Sequence, residues 1–267
     1  MFWNAKNGCV KIDDTDMNYV SFGHGSKAFI VLPGLSDGLL TVKGKALFLA
    51  KPYVKFFDNY TVYMFSRKNK MPEGYSIRDM ASDQAKALKE LGIARASVMG
   101  VSQGGMIAQF LAIDHPELVD KLIIAVSAPK VNETIHRAVG AWIEMAEKGD
   151  HKSLMIDTAE KSYSEKYLKK YRRFYPVIGM IGKPRNYDRF FLNAKAILKF
   201  NAYDELNKIV CPTYIIGGDD DKTVGVNASY ELKEKIEHSD IYIYKGLGHA
   251  AYDEAKDFYN RVYNFLT

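Results

Sequence analysis

The sequence predicts an α/β fold, a mostly parallel sheet of eight strands flanked by helices, and three observations carry that expectation. Short apolar runs rich in β-branched and aromatic residues alternate with longer amphipathic stretches, the pattern of a sheet covered by helices. A length of 267 residues suits one large α/β domain with its own core. Hydrophobic residues at 47% and charged residues at 26% allow that core to form and exclude a disordered or fibrous chain.

In chain order, the expected strands begin with Cys9–Ile12 and Met17–Phe22, read as an antiparallel hairpin. Phe29–Leu32, Thr61–Phe65, Ala96–Val101, Leu122–Val126, Tyr214–Ile216 and Ile241–Tyr244 follow. Helical stretches lie between them at Val42–Phe57, Ile77–Leu91, Gly104–Asp114 and Lys256–Phe265. In the second, Ile77, Met80, Ala81, Ala85 and Leu88 recur with a period near 3.6 and form one stripe, and Ser76 precedes Asp79 as in a capping box. One segment breaks the alternation. Val131–Lys208 has no convincing strand and is helical in composition, punctuated by Gly149, Asp150, Pro176, Gly179, Gly182 and Pro184. It is read as a helical cap, residues 131–208, inserted into a core domain made of residues 1–130 and 209–267.

The N-terminal stretch Met1–Asp14 has no apolar run of signal-peptide type, and no stretch approaches the roughly 18 apolar residues that span a bilayer. The expectation is a cytoplasmic protein with no membrane insertion. Cys9 and Cys211 form no CxxC pattern, which argues against a disulfide framework or a cysteine zinc site, and both read as small buried hydrophobes. The net charge of +5 is uneven, because residues 160–200 hold eleven Lys or Arg against three Asp or Glu. No nucleic-acid motif accompanies that charge, so it reads as a solvated helical face.

The sharpest chemical signal is Gly100-Val101-Ser102-Gln103-Gly104, a GxSxG motif between an apolar strand and an amphipathic run. By composition a random chain of this length would hold GxSxG roughly one time in ten, so its place between strand and helix is what gives it weight. The turn that lifts Ser102 off the sheet is strained, and side chains at 100 and 104 would collide with backbone. A serine hydroxyl also needs a base, and the base needs an acid to fix its tautomer. Gly217-Gly218-Asp219-Asp220-Asp221-Lys222-Thr223-Val224 follows one late strand, and Gly246-Leu247-Gly248-His249 follows the last. Ser, Asp, His is the chain order of α/β-hydrolases. A metal role for the three aspartates is disfavoured, since consecutive residues point different ways.

On these motifs the chain resembles the α/β-hydrolase superfamily, in its small capped, esterase-like and haloperoxidase-like branch, over nearly its whole length. The resemblance implies a Gly-x-x-Asp-x-x-Val pattern, matched by Gly218, Asp221 and Val224, which singles out Asp221 over Asp219 and Asp220. It also implies an oxyanion hole from the backbone N–H of Gln103 and Leu35, the latter in the loop Leu32-Pro33-Gly34-Leu35-Ser36, where the family commonly has His-Gly in place of Pro33-Gly34. The implied activity is that of a carboxylesterase-like serine hydrolase acting on a small ester or related acyl substrate through Ser102, with Asp221 and His249, and with no metal or organic cofactor. A thioesterase, acyltransferase or aminopeptidase would use the same triad, and a non-catalytic ligand-binding protein is the reading from another class. A dehalogenase is disfavoured, because related ones carry Asp where this chain has Ser102. Within the cap, Trp142, Met145, Tyr171 and Phe174 are candidates to bind an apolar acyl or aryl group, and Arg172, Arg173, Arg185 and Arg189 to recognise an anionic one. Oligomeric state, monomer or homodimer, is left open.

Overall fold

Neighbouring residues on the central strands point to opposite faces, and both faces are apolar, as a sheet covered on two sides requires. Ile30, Leu32, Val98, Leu122, Ile124 and Ile215 belong to one buried cluster. Their neighbours Phe29, Val31, Met99, Ile123, Ala125 and Ile216 belong to the other. The computed structural model describes residues 2–267. Its strands are β1 (Lys6–Ile12), β2 (Thr15–Gly23), β3 (Lys27–Leu32), β4 (Tyr60–Lys68), β5 (Ala96–Val101), β6 (Val119–Ala125), β7 (Thr213–Gly218) and β8 (Ser239–Tyr244). They form one sheet in the order β1-β2-β4-β3-β5-β6-β7-β8. β2 runs antiparallel to β1 and β4, and every other pairing is parallel. All eight expected strands are present, and the first two are the expected hairpin.

The helices are α1 (Ala46–Ala50), α2 (Ile77–Glu90), α3 (Gln103–Asp114), α4 (Glu133–Glu147), α5 (His151–Ser162), α6 (Glu165–Tyr171), α7 (Tyr175–Ile178), α8 (Asp188–Leu198), α9 (Asn227–Lys235), α10 (Ala251–Glu254) and α11 (Phe258–Leu266). α2 begins with the expected reciprocal Ser76–Asp79 capping box and buries the expected stripe. α3 is buried from Gln103 through Ile113, as a helix between the sheet and other helices must be.

Three expectations need correction. Val42–Phe57 is not one helix: α1 gives way to a 3₁₀ turn over Lys51–Phe56. Pro52 has no N–H and its ring crowds the preceding turn. The last helix starts at Phe258, with the separate short α10 before it. Cys9 is exposed and Cys211 buried, both free. On the edge strand β1, Val10 and Ile12 turn inward, which sends Cys9 and Lys11 outward.

Between β6 and β7 the chain forms helices α4 to α8 and 3₁₀ turns at Arg172–Phe174 and Tyr203–Lys208. Its two ends are zipped together by Val131 N–H donating to Phe200 O (3.0 Å), Ala202 N–H to Pro129 O (2.8 Å) and a bridge between Lys130 and Asn201. No helix among the described residues is long and apolar enough to cross a membrane.

Candidate active site

The order of strands reverses between β3 and β5: β4 lies on one side of β3 while β5 lies on the other. The loops leaving the carboxyl ends of β3 and β5 therefore diverge and leave a crevice, the usual place for a ligand in an open α/β sheet. Ser102 follows β5 there. Its backbone sits at φ 55° and ψ −120°, a conformation costly for a residue with a Cβ. A Cβ on Gly104 would lie 1.9 Å from Leu32 O, and one on Gly100 2.2 Å from Gly104 O, so only glycine permits the turn. The N–H of Ser102 donates to Ala125 O (2.9 Å), and Ser127 Oγ donates to Ser102 O (2.8 Å), which fixes the strained residue to the end of β6.

Asp221 and His249 come from the ends of β7 and β8. His249 Nε2 is 2.9 Å from Ser102 Oγ, and its Nδ1 is 2.8 Å from Asp221 Oδ2. The structure thus joins the three residues singled out in the sequence into one hydrogen-bonded chain. Asp221 and His249 are 7% and 8% exposed, dry enough for each bond to count, while Ser102 is half-buried and reachable. Burial pushes the Asp221 carboxyl up, but the charge and hydrogen bond of His249 and the amides of Val224 and Thr223 outweigh it and hold the acid below its ordinary value. Those amides donate to Oδ1 at 2.9 and 2.8 Å. Spacing explains the choice of aspartate: Asp219 accepts from Gly246 N–H (2.6 Å), Asp220 pairs with Lys222 (3.3 Å), and Asp221 turns inward to the histidine. Among the described residues no group of three or more His, Cys, Asp or Glu is arranged to hold a metal ion.

Leu35 opens a 3₁₀ turn after Gly34, and Gln103 opens α3. As first residues of helical turns their N–H groups have no partner within the helix, and neither has an acceptor among the described residues. Gly34 packs on the serine, since a Cβ there would stand 3.2 Å from Ser102 Cβ.

A buried ionic clamp, not foreseen in the sequence, holds this arrangement. Arg67, 1% exposed near the end of β4, donates through Nη2 to Pro33 O (2.7 Å) and to Gln103 Oε1 (2.9 Å). One guanidinium thus grips both segments that carry the free amides. The backbone N–H of Arg67 donates to Asp37 Oδ2 (3.0 Å), and the guanidinium of Arg189 in α8 donates to the same oxygen (2.7 Å). Burial draws the Arg67 guanidinium down to about 10 despite the Asp37 charge beside it. Burial likewise opposes ionisation of Asp37, but Arg189 and Arg67 outweigh it and keep the carboxyl below its usual range. Gln103 Nε2 closes the ring by donating to Asn193 O on α8 (2.9 Å). The only signal in the sequence was that Arg67 lies near the carboxyl end of β4 and Asp37 in the loop after β3, where many surface charges also lie.

The other candidates make contacts of their own. Trp142 is buried in the main core cluster, with its indole N–H donating to Asp157 (2.8 Å). Met145 packs against that cluster, Tyr171 stacks on Tyr167 with ring centres 4.3 Å apart, and Phe174 is 48% exposed. Arg189 is spent on Asp37, Arg172 on Glu160 and Glu165, and Arg173 lies over the Phe174 ring at 4.8 Å. Of the basic segment, then, two arginines serve internal ion pairs.

Comparison with known proteins gives the family and the fold. The profile of the family described as "alpha/beta hydrolase fold" matches residues 63–256. The 3-oxoadipate enol-lactonase 2 of Acinetobacter baylyi is 22% identical over 236 residues, 86% of this chain and 85% of its own. A relative from Serratia proteamaculans is 37% identical, but over 70 residues that make up 26% of each chain. Among solved structures, MGS-M2, an alpha/beta hydrolase enzyme from a Medee basin deep-sea metagenome library, superposes with a TM-score of 0.86 at 20% identity and covers 97% of both chains.

Proposed function

The chain belongs to the alpha/beta hydrolase fold family, and on that premise we propose that it is a serine hydrolase that cleaves a carboxylic ester or related acyl substrate through an acyl-enzyme on Ser102. The observation that carries this reading is the continuous chain Ser102 Oγ, His249, Asp221 at 2.9 and 2.8 Å. Ser102 Oγ attacks the acyl carbonyl and its proton passes to His249 Nε2. Asp221, ionised, accepts from Nδ1 and stabilises the imidazolium. Negative charge builds on the carbonyl oxygen and is met by the N–H groups of Leu35 and Gln103, the latter at the positive end of α3. Collapse breaks the bond to the leaving alcohol, which departs with the proton from His249. Water, deprotonated in turn by His249, attacks the acyl-enzyme; the acid leaves and Ser102 regains its proton. Residues 131–208 act as a cap over this edge of the sheet.

The test is hydrolysis of p-nitrophenyl esters together with fluorophosphonate labelling. Wild type should turn over esters and be labelled on Ser102, and Ser102→Ala should lose label and kcat, the latter by on the order of 10⁶-fold. Neither turnover nor label in wild type would refute the reading and leave a ligand-binding protein of the same fold.

A further inference from the structure

A cavity of about 260 Å³ is walled in part by Pro33 and Ser36, the neighbours in sequence of Gly34 and Leu35. We propose that it is an acyl subsite and that it takes an unbranched aliphatic chain of on the order of eight to ten carbons, given that a cavity of about 150 Å³ holds benzene. The inference rests on the serine hydrolase reading for the position of the acyl carbonyl, and on the cavity alone for the kind of chain it accepts.

Position is the first argument. Pro33 and Ser36 form part of the wall, and they flank Gly34 and Leu35, the residues that touch Ser102 and would hold the carbonyl oxygen. An acyl group bonded to Ser102 with its oxygen on the Leu35 amide has this wall beside its first methylenes. The chemistry of the wall is the second. Leu39, Leu40, Leu49, Met64, Met155 and Ile181 supply it, and no aromatic ring does. A ring-lined slot selects flat groups, whereas aliphatic walls with two flexible thioethers adapt to a chain. Third, the mouth is unusually apolar. Leu40 and Ile181 are 47% and 60% exposed, and the backbone of Gly182 lies against Leu40, so a chain leaving the cavity would cover both. The polar wall residues do not compete. Asp37 Oδ2 is taken by the backbone N–H of Arg67 and by Arg189, its Oδ1 has no hydrogen-bond partner among the described residues, and Lys45, its ammonium disfavoured by burial, feels the Asp37 charge without a bond to it.

The experiment has two independent arms. In the first, kcat/KM is measured over p-nitrophenyl esters from acetate to palmitate for wild type, Met155→Trp and Ile181→Trp, the last placing its new ring at an exposed position that folding does not depend on. Each methylene moved from water into the cavity is worth up to about fourfold. Wild type should therefore rise at least about tenfold from acetate to octanoate and fall beyond decanoate, and the tryptophan variants should cut the octanoate-to-acetate ratio by about tenfold or more. In the second arm, calorimetry should detect decanoate binding to Ser102→Ala and its loss on adding Met155→Trp. Acetate as the best substrate, a ratio unmoved in both variants, or a preference for the half-ester of a dicarboxylic acid over hexanoate would overturn the proposal, the last by making Lys45 an anion site. If no ester is cleaved and Ser102 takes no label, the hydrolase reading fails; decanoate binding then still decides the cavity.

Discussion

Arg189 and Arg172 lie on the same helical segment, and each holds a carboxylate oxygen at 2.7 Å, yet the two pairs sit in different surroundings. The Arg189 and Asp37 side chains are 18% and 1% exposed, whereas Arg172 and Glu160 are 39% and 35% exposed. The lesson is that bond length does not rank ion pairs. Asp37 is the counter-charge of the buried Arg67 guanidinium and the partly buried Arg189, and Arg67 cannot turn to water if it is lost. Arg172 is shared between Glu160 and Glu165 at a surface where water replaces any of them at little cost. The first cluster holds the segments that carry the Leu35 and Gln103 amides; the second lies at the surface of the helical segment between β6 and β7.

Asp37→Ala should give the largest effect, a loss of about 3–5 kcal/mol from stranding the buried Arg67 charge beside the partly buried Arg189. Denaturant unfolding measures it, and a loss similar to that of a surface variant would erase the contrast between the clusters. Arg67→Met removes the grip on Pro33 O and Gln103 Oε1 without leaving a buried cation. If the proposed reaction holds, kcat should fall by about 10- to 100-fold, the scale of losing part of an oxyanion site. Arg67→Lys should not restore it, because an ammonium lacks the fork that reaches two acceptors on divergent segments. Lower stability with kcat and KM of the folded protein unchanged would place Arg67 in folding alone.

Acid sharpens the same contrast. A carboxyl held below its unfolded value contributes stability above that value and loses it as pH falls toward the folded one. Glu160, lowered to about 2 from 4.5 chiefly by its Arg172 hydrogen bond, and Asp37 both have this sign. Stability should therefore drop as pH falls from about 5 toward 2. Asp37→Asn should flatten that curve much more than Glu160→Gln, since Glu160 is screened by solvent. Smallest of all, Arg172→Ala should leave the unfolding midpoint within error of wild type, in low or high salt.

What could be read in the sequence depends on the range of the physics involved. Strands β1 to β8 declare themselves by local apolar runs, and Ser102, Asp221 and His249 by short motifs at strand ends, because alternation and tight turns are local constraints. The break at Pro52 is equally local, and the proline itself is its signal. The clamp was hidden because Arg67, Asp37, Arg189 and Gln103 come from four distant segments, and no local pattern separates a buried arginine from a solvated one. The same holds for the acyl cavity: Trp142 and Phe174 looked suitable by type, whereas Met64, Met155 and Ile181 meet only through the fold.

Ser102 and His249 are 147 positions apart in the chain, and β6 lies between the strands that deliver Ser102 and Asp221. Contacts between such distant positions form late, after the loop-closure entropy of the intervening chain has been overcome. A folding molecule that has paired β1 through β6 already owns its elbow and most of its sheet, but its serine is an ordinary alcohol. On the proposed reaction Ser102 has its base and acid only once the ends of β7 and β8 are in place, so the molecule is chemically silent for as long as it is incomplete.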